Sequence, residues 1–364
     1  VGGEEFIAEI TLSSFYTPNI DTYAKTVKEK ALLRSLIGAS NDIMELSYRQ
    51  SDDVSTILEV AESKIFDISQ DKLNDGLTKV GDTLDETIQI INELSLNDGD
   101  ITGVPTGLSS IDMKLSGLQP SQLILLAARP AMGKTALGLT MAWNAAKEGK
   151  SVAFFSLEMS TLQLNYRLIS MVSMIDLEQV MNGRIKDDEW ELLFRSVREI
   201  VDKDLYVDET PAISLSEMRS KLKRLKAESG LDLVVIDYLQ LMSADSNKEN
   251  RQNEIASISR GLKSLSKELN CPILSLAQLS READKRADHK PILSDLRESG
   301  AIEQDADVVM LLYREDYYDE EDNPNIAKVI VAKHRNGSTG TIDLFFNKPC
   351  TTFRDLSYRE ENAY

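Results

Sequence analysis

Eight consecutive residues, Ala128-Arg129-Pro130-Ala131-Met132-Gly133-Lys134-Thr135, hold the most readable chemistry of this chain. They follow an apolar run, Leu123-Ile124-Leu125-Leu126-Ala127, and open a stretch of helical apolar period over 135–147. Strand, Gly-Lys-Thr loop and helix together make a phosphate cradle. Backbone N–H groups at Ala131, Met132 and Gly133 are expected to point inward, and the helix N-terminus adds its positive dipole end. Lys134 is placed to reach the β- and γ-phosphates of ATP, and Thr135 to offer its hydroxyl to Mg²⁺. The pattern G-x-x-x-x-G-K-[ST] has glycine first, and Ala128 stands there instead. A chance Gly-Lys-Thr in a strand–turn–helix unit is the ordinary alternative.

Two further strand ends supply carboxylates. Leu233-Val234-Val235-Ile236 runs into Asp237, the position of a Walker B aspartate that holds the Mg²⁺ shell. An apolar run before Asp is common, and its meaning comes from the Lys134-Thr135 pair. A second run, 152–157, leads to Glu158, which would face the nucleotide at the carboxyl edge of the sheet and polarise the attacking water. The plainer reading is a surface Glu capping the helix that starts near Ser160. Gln278 ends a third run and could register the γ-phosphate, or be ordinary strand-end polarity.

These side chains need a sheet to align them. Strands are expected over 123–127, 152–157, 205–207, 233–236, 273–276 and 308–313, with helices between them, one being 214–228 closed by Gly230. That alternation predicts a parallel sheet covered on both faces. Three last strands, 327–332, 341–346 and 352–356, read as antiparallel, with Asn336-Gly337 and Thr339-Gly340 in the first turn. Ahead of the sheet the pattern is helical. Amphipathic stretches cover 22–36 and 53–68, a polar linker 71–78, and a short amphipathic helix 82–95 with Leu84, Ile88, Ile91 and Leu94. That helix must bury its stripe on its own domain or on a neighbouring subunit. The division expected is a helical domain over 1–70, a linker with its helix over 71–103, an α/β domain over 104–356 and a tail over 357–364.

Composition narrows the classes. The two cysteines, Cys271 and Cys350, and two histidines make neither a zinc pattern nor a disulfide framework, so a reducing cytoplasm is the expected setting. No apolar run approaches the ~20 residues of a membrane span, and no leader is seen. The start, Val1-Gly2-Gly3-Glu4, reads as a cut from a longer protein. The net charge of −19 speaks against nucleic acid until its distribution is seen. Residues 1–100 hold 20 acids and 8 bases, and the remainder 40 and 33, so the acidity lies mostly outside the phosphate-loop portion. Local cations can still line a groove.

The order of these pieces resembles the RecA-like ATPases, and several stretches resemble the DnaB-type replicative DNA helicases within them. These are 128–135, Phe155-Ser156-Leu157-Glu158-Met159-Ser160, Val235-Ile236-Asp237-Tyr238-Leu239-Gln240-Leu241, Glu249-Asn250-Arg251-Gln252, 295–307 and Lys333-His334-Arg335-Asn336-Gly337. That family tolerates the first loop position without glycine. The resemblance spans essentially the whole chain and implies a RecA-like α/β fold behind a linker helix and a truncated helical domain. It implies a homohexameric ring with ATP sites between subunits, where Lys333 and Arg335 reach the neighbour's nucleotide. A guanidinium supplied in trans stabilises charge on the transferring phosphoryl. Two surface cations at a hairpin are the plain alternative.

The family's DNA-contacting segment matches Arg297-Glu298-Ser299-Gly300. Arg297 can pair with a phosphate, and Gly300 allows close backbone approach. Arg281, Lys285, Arg286 and Lys290 would line the same channel, as would Lys248 and Arg251. Each alone could be a solvated charge. Without stacking aromatics, contact is expected to be mainly to the backbone of single-stranded DNA. Primase and a helicase loader are the implied partners, and 5′ to 3′ the implied polarity. A RecA-like DNA-dependent ATPase that does not unwind is the rival reading, and a nonhydrolysing scaffold a third, opposed by intact Lys134, Thr135, Glu158 and Asp237.

Overall fold

The structure is a computed structural model, and it describes residues 20–49, 54, 57, 60, 61, 64, 65, 80–96, 101–243, 251–286, 288–319 and 323–356. The chain divides into two compact units, Val1–Glu93 and Leu94–Tyr364. The division falls inside the stretch expected as linker. Helix α1, Ile20–Arg49, is longer at both ends than the 22–36 expected from the apolar period. Of the predicted helix over 53–68, six residues are described, and all six are helical. A 3₁₀ turn, Val80–Thr83, leads into α2, Leu84–Leu96, on which Leu84, Ile88 and Ile91 are exposed. The polar stretch 71–78 and the tail 357–364 lie outside the described residues.

The second unit is built on a nine-stranded sheet in the order β3-β2-β4-β5-β1-β6-β7-β8-β9. The strands are β1 Leu123–Ala128, β2 Val152–Ser156, β3 Leu205–Asp208, β4 Leu233–Asp237, β5 Ile273–Gln278, β6 Val308–Tyr313, β7 Ile326–His334, β8 Gly340–Asn347 and β9 Thr352–Asp355. The first six run parallel, and β7, β8 and β9 continue antiparallel, as the sequence pattern predicts. The parallel strands read as continuous apolar runs because both their faces are buried. Along β1, Ile124, Leu126 and Ala128 enter one core, and Leu123, Leu125 and Ala127 enter the other. The first core lies under α3, Ser109–Leu115, α4, Lys134–Lys147, and α5, Thr161–Ser173. Two short segments follow, α6, Leu177–Asn182, and α7, Trp190–Val201. The second core lies under α8, Leu215–Ser229, and α9, Arg251–Leu269. A 3₁₀ segment, Leu293–Ser299, and α10, Gly300–Asp305, return the chain to β6.

Register decides which strand ends meet. Ala128 at the end of β1 pairs with Gln278 of β5 and Leu312 of β6, and Ser156 of β2 pairs with Asp237 of β4. The carboxyl ends of β1, β2, β4 and β5 therefore share one edge of the sheet, where open α/β sheets bind ligands. Between α9 and β5, Cys271 is fully buried, and burial pushes its thiol up to about 12, which leaves it inert packing.

Candidate nucleotide site and neighbouring loops

The loop between β1 and α4 turns on two residues of positive φ, Ala131 at 64° and Gly133 at 98°. Gly133 is the N-cap of α4, and a Cβ there would lie 3.1 Å from the Phe353 ring. Ala128, by contrast, is the last residue of a strand and is buried in the core. Its methyl group is packing, and its backbone has no need of glycine. The Met132 side chain is buried in the same core, and the residue's N–H meets the Arg129 carbonyl at 3.4 Å. The side chain anchors the loop, and the backbone is the part expected to meet a phosphate.

Lys134 and Thr135 converge on Asp237. The Lys134 Nζ lies 3.1 Å from Asp237 Oδ1 and 4.0 Å from the Tyr238 ring centre. Thr135 Oγ1 donates to Asp237 Oδ2 at 2.6 Å, and Asp237 is fully buried. Among the described residues Asp237 Oδ1 accepts no hydrogen bond, and the Lys134 ammonium lies beside it. These hard oxygens suit Mg²⁺, which keeps its waters and takes one or two protein groups beside phosphate oxygens.

Glu158 follows β2 and is exposed at the rim of a cleft of about 780 Å³ that the loop also lines. Helix α5 does not use it as a cap. Ser160 and Gln163 form a capping box there, and the Thr161 N–H goes to Glu209. Glu158 is left without that structural duty. Gln278 lines the same cleft from the end of β5, exchanging long 3.5 Å contacts with Gln240.

Arg167 on α5, also lining the cleft, is a residue the sequence pattern does not single out. Burial pulls its guanidinium below the usual arginine value, while Asp237 and Glu158 act against that shift. Its one signal is a lone Arg between Leu164, Leu168 and Met171, in the buried sector of an amphipathic helix. The cleft is also lined by an ion cluster built on buried Arg314 and Asp316. Arg314 gives two 3.0 Å bonds to Asp316 and lies 4.4 Å over the Phe346 ring, and Lys348 reaches Asp316 at 2.7 Å.

Lys333 and Arg335 sit elsewhere. His334, between them, pairs with Val308, the first residue of β6, so they flank the amino end of that strand. Lys333 Nζ donates to the Glu303 and Gln304 carbonyls at 2.5 and 3.2 Å, and Arg335 to Gln304 O at 2.8 Å with Asp307 at 3.3 Å. The loop lies past the carboxyl end of β1, which runs beside β6. From Ile124, level with Val308 and His334, to Ala128 at the start of the loop is four residues of β1, so strand rise alone puts about 13 Å between these cations and their own phosphate loop.

Among the channel candidates, Arg281 is exposed and lines a second cleft shared with Arg129 and Gln278. Arg286 is committed to Asp295 and to the Lys290 carbonyl, which makes it a brace of its own loop. Lys285 pairs with Glu282 at 2.6 Å. Arg297, Glu298 and Ser299 belong to the 3₁₀ segment and Gly300 opens α10, but their side chains lie outside the described set, as do the Arg251 side chain and Lys248.

A RecA-like α/β sheet with a phosphate loop and a Walker B aspartate at its carboxyl edge defines a nucleotide-hydrolysing protein of the P-loop class. The model of the DnaB-like helicase C terminal domain matches residues 103–355. Over its whole length the chain is 42% identical to the replicative DNA helicase DnaB of Geobacillus stearothermophilus, covering 81% of it. It is 43% identical to the replicative DNA helicase DnaC of Bacillus subtilis (strain 168), again over 81% of that protein. A solved DnaB-like replicative helicase, described with its interactions with primase, superposes with a TM-score of 0.82 at 33% identity, over 97% of this chain and 83% of that one. A second solved structure, of an ATPase domain, superposes at 0.74 with 37% identity, over 77% of this chain and all of that domain. The chain belongs to the DnaB-like replicative DNA helicases.

Proposed function

We propose that this chain is the ATP-driven motor subunit of a homohexameric ring that moves 5′ to 3′ on single-stranded DNA and excludes the second strand. The observation that carries the reading is the placement of Lys333 and Arg335 at the sheet edge opposite their own phosphate loop. Each nucleotide site is then completed by the neighbour's pair. Lys134 neutralises the β- and γ-phosphates, and Thr135 and Asp237 hold Mg²⁺, which when bound offsets charge on the phosphate oxygens. Glu158 takes the proton of the water attacking the γ-phosphorus, and ADP leaves with the electron pair of the broken bond. Arg335 and Lys333 from the neighbour stabilise the charge on the transferring group, a trans contribution of about 10³–10⁵ in rate. Gln278 and Arg167 face the cleft where the γ-phosphate arrives.

Arg297, Glu298 and Gly300, with Arg281 nearby in sequence, form the channel side, reading the DNA backbone rather than its bases, and Arg286 braces the loop beside them through Asp295. Residues 1–70 belong to a helical amino-terminal domain, 71–103 to the linker, 104–356 to the motor and 357–364 to a tail. Primase, named with a solved relative, and a helicase loader are the proposed partners, and the cytoplasm the proposed setting. No described helix is long and apolar enough to cross a membrane.

The test is ATP-dependent unwinding of a forked DNA with a 5′ single-stranded tail, read beside particle mass. Strand release by hexamers, abolished in Lys134→Ala with unchanged melting, is expected. ATPase stimulated by DNA without strand release would favour the non-unwinding rival.

A further inference from the structure

The phosphate loop carries a second cation, Arg129, and its guanidinium is committed to a different loop. Arg129 Nε lies 3.1 and 3.0 Å from the two oxygens of Asp284, Nη2 lies 2.7 Å from Oδ2, and Nη1 donates to the Leu279 carbonyl at 2.9 Å. Such a bidentate, charge-assisted fork fixes distance and angle together, and lysine cannot reproduce it. Arg129 is largely buried, its side chain 14% exposed.

Asp284 is where three loops meet. Its Oδ1 also accepts from Tyr318 Oη at 2.9 Å. Tyr318 follows β6 in the segment whose Arg314, Asp316 and Tyr317 line the nucleotide cleft. The His289 ring stacks on Tyr318 at 4.1 Å. The segment after β5 is therefore clasped at Asp284, at the Asp288 carbonyl, which accepts from Tyr313 Oη at 2.8 Å, and at His289, with Lys285 and Arg286 between the first and the second. Where the loops leave the sheet they are already joined, Leu279 N–H to Ala128 O at 3.0 Å. That bond extends the strand ladder and moves with it. The Arg129–Asp284 fork joins the loops further out, where a ligand-driven shift of the phosphate loop is free to be passed on.

We propose that Arg129 and Asp284 are a positioning pair that transmits the nucleotide state of the phosphate loop to the 281–290 segment and so links ATP turnover to DNA contact. The second half rests on the assignment of that segment to the DNA channel. Asp284 is not among the residues lining the nucleotide cleft, and it acts through Arg129.

The experiment uses the full chain with Asp284→Asn, which keeps shape but loses the charge, and Asp284→Glu, which keeps the carboxylate. Turnover is measured with and without oligo(dT), and trypsin cleavage after Arg281, Lys285 and Arg286 with and without ADP. In Asp284→Asn the DNA-free kcat and KM should stay within about twofold, DNA stimulation should fall about tenfold, and cleavage should lose its ADP dependence. Asp284→Glu should recover most of both. The proposal is overturned if Asp284→Asn is stimulated as wild type, if its DNA-free kcat falls by the same factor as the stimulated rate, or if ADP leaves wild-type cleavage unchanged. If Asp284→Asn melts below the assay temperature, Tyr318→Phe, which removes one bond to Asp284, takes the same measurements and is held to the same outcomes. Wild-type turnover indifferent to DNA, with ADP-dependent cleavage lost only in the variant, would keep the pair and remove the channel assignment.

Discussion

Two buried aspartates at the cleft do different work. Asp237 gathers Lys134 and Thr135 at the place a metal–phosphate group would occupy. Asp316 faces Arg314 and Lys348 and holds the wall. Burial raises the Asp316 pKa, but the hydrogen bonds from Arg314 and Lys348 outweigh it, so the carboxyl titrates below its ordinary value. A depressed folded value gives stability that is full above the unfolded pKa of about 3.9 and is lost as pH falls through the folded one. Asp316→Asn should therefore cost about 3–5 kcal/mol near neutral pH, because Arg314 stays buried without its counter-charge. It should also flatten the acid limb of a urea-melt series below about pH 4, where the depressed carboxyl of the wild type is protonated. A loss under about 1 kcal/mol, with the acid limb unchanged, would assign Arg314 to the Phe346 ring instead.

At the scale of elements, the parallel strands are legible in the sequence because burial on both faces leaves little but Val, Ile, Leu and Ala in them. Two ends are legible because a polar residue stops the run, Asp237 and Gln278, whereas β2 ends at Ser156, one residue short of the run expected over 152–157. Strand β7 runs further than expected, Ile326–His334, because its ends are fixed by pairing with β6 and β8 rather than by apolar pattern. Met132 is expected to offer a phosphate its backbone N–H, and the pattern does not announce that its side chain turns into the core. Arg129, Asp284 and Tyr318 are invisible as a group in the sequence, being far apart along it and joined only by neighbouring strand ends. The 3₁₀ segment Leu293–Ser299 carries the residue expected to hold DNA. Arg297→Ala should weaken oligo(dT) binding with little base preference and reduce the salt slope by about one phosphate contact, while DNA-free ATPase persists. Titrations at several salt concentrations check it, and an unchanged slope would remove Arg297 from the channel.

The second unit is organised by the two edges of one sheet. Lys134, Thr135, Glu158, Asp237 and Gln278 lie at the carboxyl edge of the parallel strands, and Lys333 and Arg335 at the opposite one. In this chain the latter pair rests on carbonyls at the end of α10, where the helix dipole favours cations. Within a ring the same pair can be offered to a neighbour. The central claim is that hydrolysis happens between chains, and complementation tests it most directly. Lys134→Ala and Arg335→Ala should each be inactive alone, the second by about 10³–10⁵. Where an Arg335→Ala subunit binds ATP and a Lys134→Ala subunit supplies Arg335, one site holds both groups. Mixing the two proteins, with mixed rings confirmed by mass, should restore ATPase well above either parent. Confirmed mixed rings as inactive as their parents would contradict a site shared between subunits that fire independently.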